Sequence, residues 1–520
     1  MKTYIGIELG STRIKAVAID ESGKPLASGG FDWENRFENG VWTYHLDEVW
    51  SGLQESYKQL AADYRDKQGT PLSEISGIGI SAMMHGYLAL DKNDNQLAEF
   101  RTWRNTITEE SAEILTETFG FNIPQRWTIA HLHRAVTKRE PHINDIGHLT
   151  TLAGYVHYKL TGEKVVGVGE GSGIMPIDST INDYHAGMVK KFDNLAAQYA
   201  PPWKLLDILP KVLCAGENAG YLTEEGAKLL DPAGTLKKGV PFCPPEGDAG
   251  TGMVATNAIT PKTGNISAGT SVFAMLVLDK ALSKLHPEID MVTTPTGKPV
   301  AMVHCNNCTS DLDAWVNLFG DVLTKMGEAP DKTDLYRTLY NAALSGDPDC
   351  GGLVSVNYLS GEHMTGFYEG RPLFVRTPDS RFTIENFMRS LLFSAMATLR
   401  IGMNILTEEE GVAVSKLLGH GGLFKTAVVG QKLMAAALNI PVAVMESAGE
   451  GGAWGIAVLA AYTAAKEQSE TLEQFLEKKI FAISAVSTIE PDPVDVKGFE
   501  AYLTRYKAAL EVEKSAVEIL

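Results

Sequence analysis

At 520 residues the chain is too long for one ordinary hydrophobic core, so two large domains are expected. Its 44% hydrophobic and 21% charged content is that of a globular protein and excludes a disordered or fibrous chain. A formal net charge of −18 argues against a nucleic-acid or anionic-membrane partner, either of which would call for a basic face. No long apolar span and no charged-then-apolar leader pattern is read in the sequence. With five cysteines, odd in number and sparse, the expectation is a cytoplasmic protein with reduced thiols.

The elements follow in chain order. Tyr4 to Glu8 and Ile14 to Ile19 are short apolar runs flanking LGSTR and predict a β-hairpin, with a third strand returning over Pro25 to Asp32. Leu46 to Lys67 has helical periodicity, with Trp50, Leu53, Tyr57 and Leu60 at steps of three and four. Ile75 to Ser81 is a continuous apolar run, as in a buried parallel strand. Residues 106 to 165 read as mostly helical. Gly239 to Thr251 is a strand running into a Pro/Gly-rich turn, and Ala249 to Ala258 a short helix. A polar break at Thr260 to Thr263 sets a domain boundary, giving residues 1–259 and 260–520. Beyond it Phe387 to Leu406 predicts a long helix, Val412 to Leu418 a strand, Phe424 to Leu438 a helix, and the stretch from Gly498 an amphipathic helix.

The hairpin occurs twice. GNISAGTSVFAMLVLD, Gly264 to Asp279, repeats the pattern of IGIELGSTRIKAVAID, Ile5 to Asp20, with Gly269 lying 259 residues after Gly10. A turn of Gly and hydroxyl residues opens backbone N–H groups and can bind phosphate without basic side chains. One such turn is also simply what turns prefer. Two at half-length spacing suggest duplicated domains that grip a polyphosphate. Cys305 and Cys308 form a CxxC without the second pair that a structural zinc site needs.

Four further segments stand out: ISAMMHGYLALD (Ile80 to Asp91), RTWRNTIT (Arg101 to Thr108), PPEGDAGTG (Pro244 to Gly252) and LLGHGGLFKTAVVGQKLMAAALNIPV, with EGGAWGIA from Glu450 after it. In this order, with the two hairpins, they resemble the FGGY family of carbohydrate kinases, xylulose kinases in particular. The resemblance implies an α/β fold of two actin-like (ribonuclease H-like) ATPase domains around a central cleft. It also implies ATP and Mg2+ as cofactors and a small sugar or polyol as substrate, a ketopentose such as D-xylulose leading over ribulose, gluconate or a tetritol. A homodimer is compatible with it.

On this resemblance Met84, His85, Trp103, Arg104 and Asn105 line the sugar site. Glycerol kinases carry an Arg-Glu pair at the Met84-His85 segment, and this chain does not. Arg104 and Asn105 stand where xylulose kinases have Asn-Asp, and a surface ion pair is the alternative reading of Arg104. Asp248 matches the catalytic acid, the base that takes the sugar hydroxyl's proton. Glu246 is its neighbouring decoy. Gly10, Ser11, Thr12, Gly269, Thr270 and Ser271 match the phosphate turns, and Gly421, Gly422 and Gln431 the adenosine segment. Glu8, with Asp248, matches the magnesium position, where the family usually has Asp. Two other readings stay open: a polypeptide-binding or polymerising ATPase of the same clan, and a catalytically impaired sugar or nucleotide sensor.

Overall fold

The computed structural model describes residues 2–445, 451–482 and 486–520. Contacts divide the chain into two units. The first comprises Met1–Ile259, Asp290–Val300 and Gly449–Ser484, and the second Thr260–Ile289, Ala301–Ala448 and Ala485–Leu520. The chain thus leaves its first unit at Ile259, as the polar break suggests, but returns to it twice, which a single boundary does not convey.

The first unit is built on a five-stranded sheet in the order Glu246–Gly247, Gly77–Ala82, Tyr4–Leu9, Arg13–Ile19, Pro25–Asp32. Tyr4–Leu9 and Arg13–Ile19 form the expected antiparallel hairpin, and Pro25–Asp32 joins it antiparallel. Gly77–Ala82 runs parallel to Tyr4–Leu9, and Glu246–Gly247 parallel to Gly77–Ala82. The alternating Ile5, Ile7, Ile14, Ala16 and Ile80 are buried in one cluster with Val49, Leu53, Tyr57 and Leu60 of the helix Leu46–Gln68. That helix carries Asp47 and Glu48 in its first turn and closes on Gly69, whose φ of 72° needs no Cβ and whose N–H reaches Arg65 O at 2.9 Å. The other sheet face is covered by the helix Gly451–Ala465. A Cβ on Gly6 would lie 2.0 Å from Ala453 O, so only glycine lets this helix sit directly on the strand. The close fit explains why a segment far beyond residue 259 belongs to the first unit.

In the second unit consecutive strands run in the order Val272–Val277, Thr263–Ala268, Lys416–His420, Val442–Met445, Val486–Ile489. Thr263–Ala268 and Val272–Val277 are the second hairpin, and Lys416–His420 and Val442–Met445 lie parallel beside it. Each unit therefore sets one hairpin against two parallel strands, which is the architectural form of the sequence repeat. The long helix Ile384–Asn404 continues as a wide turn over Ile405–Glu409. It is long and apolar enough to span a membrane by length and composition, a correction to the sequence reading, yet 78% of its most apolar window is buried. Arg389 on this helix is buried against Asp495 at 2.5 Å. The helix expected from Phe424 begins only at Val429, because Val428 takes a φ of 71° that no α-helix continues.

Candidate active site

The sequence-predicted residues of the first unit gather at the carboxyl ends of three parallel strands, where α/β sheets place their ligands. Gly10 to Thr12 follow Tyr4–Leu9, Met84 and His85 follow Gly77–Ala82, and Asp248 follows Glu246–Gly247. Asp248 opens the helix Asp248–Ala255. Its Oδ1 accepts the backbone N–H of Met84 at 3.0 Å and of Ala249 at 2.9 Å. Burial raises its pKa, and these N–H donors oppose the shift. The acid is thereby bonded to the Met84-His85 segment rather than standing alone in a turn.

Glu8 lies near enough to Asp248 for the two charges to interact. Burial first, then the Asp248 charge, pushes the Glu8 carboxyl up to about 7. Its Oε2 accepts the N–H of Ala453 at 3.2 Å, in the first turn of Gly451–Ala465, a favourable place for a carboxylate. A Cβ on Gly452 would meet Glu8 Oε1 at 2.3 Å. The segment Gly451–Ala457 therefore backs Glu8 within the first unit and is not part of the nucleotide unit expected from sequence. Glu450, quoted with it, lies outside the described residues. Two interacting carboxylates with oxygen donors fit magnesium, which takes one or two protein carboxylates together with substrate phosphates. Glu246 is a strut rather than a second base. Its oxygens accept Gly169 N at 3.3 Å and Glu170 N at 2.8 Å, and burial pushes it up to about 8.

His85 is buried with a φ of 74°, held neutral by burial and then by the Arg126 charge, both of which lower its pKa. The Trp127 ring stacks on it at 6.2 Å between centroids. Trp103 is 40% exposed and its Nε1 donates to Ser11 Oγ at 3.3 Å, joining its loop to the first Gly-Ser-Thr turn. Among the described residues no ion pair of Arg104 is found, so the surface-bridge alternative is not what holds it. Its guanidinium lies 4.1 Å from the centroid of the Trp42 ring. Asn105 is buried, its Oδ1 accepting Trp42 N at 2.8 Å and its Nδ2 donating to Trp42 O at 2.8 Å and Thr102 O at 2.9 Å. Its amide is thus engaged in fixing the loop to the strand Val41–Thr43.

Both phosphate turns have their carbonyls tied back by neighbouring groups. Gly10 O accepts Trp33 Nε1 at 2.7 Å and Ser11 O the Tyr44 hydroxyl at 2.6 Å. In the second unit Gly269 O accepts Thr309 N at 3.0 Å, and Thr270 O accepts Cys308 N at 3.0 Å. The Cys305–Cys308 stretch, read from sequence as an isolated CxxC, is thus the support of the second turn. The glycine amides are themselves engaged within the turns, Gly10 N donating to Arg13 O at 3.0 Å in the first and Gly269 N likewise bonded in the second. Ser271 sits at the hinge of this turn, its O accepting Gly269 N at 2.9 Å. Gly421 and Gly422 follow the neighbouring parallel strand. A Cβ on Gly421, at φ 97°, would lie 2.5 Å from Ala268 O, so the glycine turn abuts the second phosphate turn. Gln431 does not join them. Its Nε2 donates to Val442 O and Ser487 O, both at 2.8 Å, and ties two strands together.

Sequence reasoning missed three polar residues around His85. Glu170 is fully buried and its pKa is raised well above the usual range, chiefly by burial. Arg126 and Asp290 form an ion pair. None carries a local motif, and Asp290 is 164 residues from its partner, so only the fold could reveal them.

Against this geometry the comparisons are specific. Residues 3–255 match the FGGY carbohydrate kinase N-terminal domain and residues 264–464 the C-terminal domain. A xylulose kinase of Haemophilus influenzae is 22% identical over 97% of this chain and 98% of its own length. Solved structures of a "xyloylose kinase" from Brucella ovis (20% identity, 98% of this chain and 99% of that one) and a gluconate kinase from Lactobacillus acidophilus (17%, 98% of each) superpose with a TM-score of 0.79 in both cases. These likenesses establish the fold, two actin-like α/β kinase units, and not the sugar. With both domain models matched in order over most of its length, the chain belongs to the FGGY family of carbohydrate kinases and is a phosphotransferase acting on an alcohol group.

Proposed function

We propose that this carbohydrate kinase transfers the γ-phosphoryl group of ATP to a hydroxyl of a small neutral ketose, D-xylulose first among the candidates. The observation that carries the reading is the bond between the Asp248 carboxylate and the Met84 N–H, which joins the acid to a segment of xylulose-kinase type. Asp248 accepts the hydroxyl proton as the sugar oxygen bonds to phosphorus and the bond to the β-phosphate oxygen breaks, releasing ADP. Neutral His85 is able both to donate and to accept a hydrogen bond to sugar hydroxyls, and Met84 supplies an apolar wall. Gly10–Thr12 and Gly269–Ser271 are the proposed phosphate ligands, with Gly421 and Gly422 beneath the adenosine. Glu8 and Asp248 would hold magnesium, which when bound offsets phosphate charge. Trp103 borders the sugar, and Arg104 and Asn105 hold the loop that presents it. Gln431 acts on the nucleotide only through the sheet it braces.

The test is a screen of ketoses, polyols and aldonates for sugar-dependent ADP release with magnesium. D-Xylulose is expected to give the largest kcat/KM. ADP release without sugar, or sugars that only protect against unfolding, would overturn the proposal in favour of an ATPase or a sensor.

A further inference from the structure

Four segments distant in sequence meet around His85, all within the first unit. Trp127 stacks on the His85 ring, and Thr128 Oγ1 donates to Gly86 O at 2.6 Å. Gly173 lies against His85, where a Cβ would come 2.5 Å from Nδ1. The loop bearing Gly173 is held from the other side, Thr293 N donating to Ser172 Oγ at 3.1 Å and Thr293 Oγ1 to Val168 O at 3.0 Å. Arg126 immediately precedes Trp127, and Asp290 opens the segment that carries Thr293. Their side chains pair beside this assembly, with Asn122 Nδ2 donating to Asp290 Oδ1 at 3.0 Å. At 25% and 13% exposure the pair is neither sealed in the core nor a free surface bridge.

We propose that Arg126 and Asp290 form the specificity-setting end of the sugar site, and that by neutralising each other they select a neutral polyhydroxy substrate over an aldonate. This rests on the carbohydrate-kinase site assigned above. The pair offers guanidinium donors and carboxylate acceptors side by side, which match neighbouring hydroxyls that each donate and accept. An incoming carboxylate meets a cation already compensated and an anion that repels it. The Arg126 charge also reaches His85, adding to the larger effect of burial in favouring its neutral state. Arg126 and Asp290 are positioning and recognition groups and take no part in proton transfer.

The test compares kcat/KM for D-gluconate and D-xylulose in the unaltered protein, in Asp290→Asn, and in the double variant Arg126→Gln/Asp290→Asn, with thermal midpoints measured for each. Unmasking the Arg126 charge should raise the gluconate-to-xylulose ratio roughly tenfold in Asp290→Asn, and the double variant should lose that gain. A ratio within about twofold of the unaltered protein in a folded Asp290→Asn, or an equal gain in the double variant, overturns the inference. Asp290→Ser serves where the Asn variant does not fold. The ratio is also read as binding constants by calorimetry. Absence of turnover with every sugar therefore counts against the proposed function, and the binding ratio still decides this inference.

Discussion

Asp248→Asn separates chemistry from architecture more cleanly than any other substitution in this protein. Asn keeps the shape of Asp and an Oδ1 that accepts the N–H groups of Met84 and Ala249, now at 3.0 and 2.9 Å. What it loses is a carboxylate able to take a proton. General-base catalysis is typically worth about 10²–10⁴ in rate, so kcat should fall by that factor, or about 3–5 kcal/mol of transition-state stabilisation. Stability should move the other way or not at all. Burial raises the Asp248 pKa, which means the fold disfavours its charged form, and the amide removes that charge. The assay is sugar-dependent ADP release with ATP affinity measured by calorimetry and thermal midpoint by scanning calorimetry. A variant that keeps more than about a tenth of kcat refutes Asp248 as the base. One that unfolds several degrees early refutes the claim that the neighbouring N–H groups are satisfied by either side chain.

Gln431→Ala should leave the Val442 and Ser487 carbonyls without their donor and cost about 2–4 kcal/mol, lowering the thermal midpoint while KM for ATP below the transition stays the same. A raised KM at unchanged stability would instead put Gln431 on the nucleotide. Stability should also depend on pH in a particular shape. Buried His148 and His157 are lowered to about 4, and His85 and His131 are also lowered well below the ordinary value, so each loses stability as pH falls below the ordinary histidine value of about 6.5. Glu8, raised to about 7, and Glu246, raised to about 8, act in the opposite sense. Their contribution is full below the ordinary Glu value and is lost as pH rises through 7 to 8. The two sets oppose each other between about 4.5 and 6.5, but four histidines outweigh two carboxyls, so the midpoint should climb up to about pH 6.5 and decline from there toward 8. A midpoint that rises steadily from pH 6 to 8 would contradict this balance.

The hairpins were legible because both the strand alternation and the turn chemistry are local, and the repeat at 259 residues doubles the signal. The position of Asp248 at a strand end was legible for a similar reason, since a Gly-rich turn after an apolar run announces one, while its reading as the base came from the family resemblance. The roles of Asn105 and Gln431 were not. Both carry side chains typical of ligand contacts, but what they bond is fixed by strands 63, 11 and 56 residues away, which no local pattern encodes. The helix Gly451–Ala465 misled for the same cause. Its sequence is apolar all round, and only the side-chain-free Gly6 and Gly79 of strands near the other end of the chain show where it packs. Arg104, read as a sugar-site residue with a surface ion pair as the alternative, lies over the Trp42 ring, a contact no local pattern announces.

The first unit holds Glu8, Glu170, Glu246 and Asp248 in one region, and the fold decides among them by the distribution of N–H donors. A carboxyl in low dielectric stays ionised only where donors or cations replace the water it has lost. Glu246 has two such donors, but they come from a loop that closes over it, and it is fully enclosed. Glu8 is pushed up to about 7 by burial and then by the like charge of Asp248, against the N–H of Ala453 and the Lys15 charge. Glu170 is held well above the usual carboxyl range by burial first, with the Glu246 and Asp248 charges also pressing against its ionisation. Asp248 alone combines two short backbone donors with a side chain that is only half-buried. A base must be reachable during the reaction, and of the four acids Asp248 is the one that is both half-buried and held by two short backbone donors that oppose the upward push of burial on its pKa. A cation held by Glu8 would lower the cost of charge on neighbouring Asp248, with which Glu8 interacts.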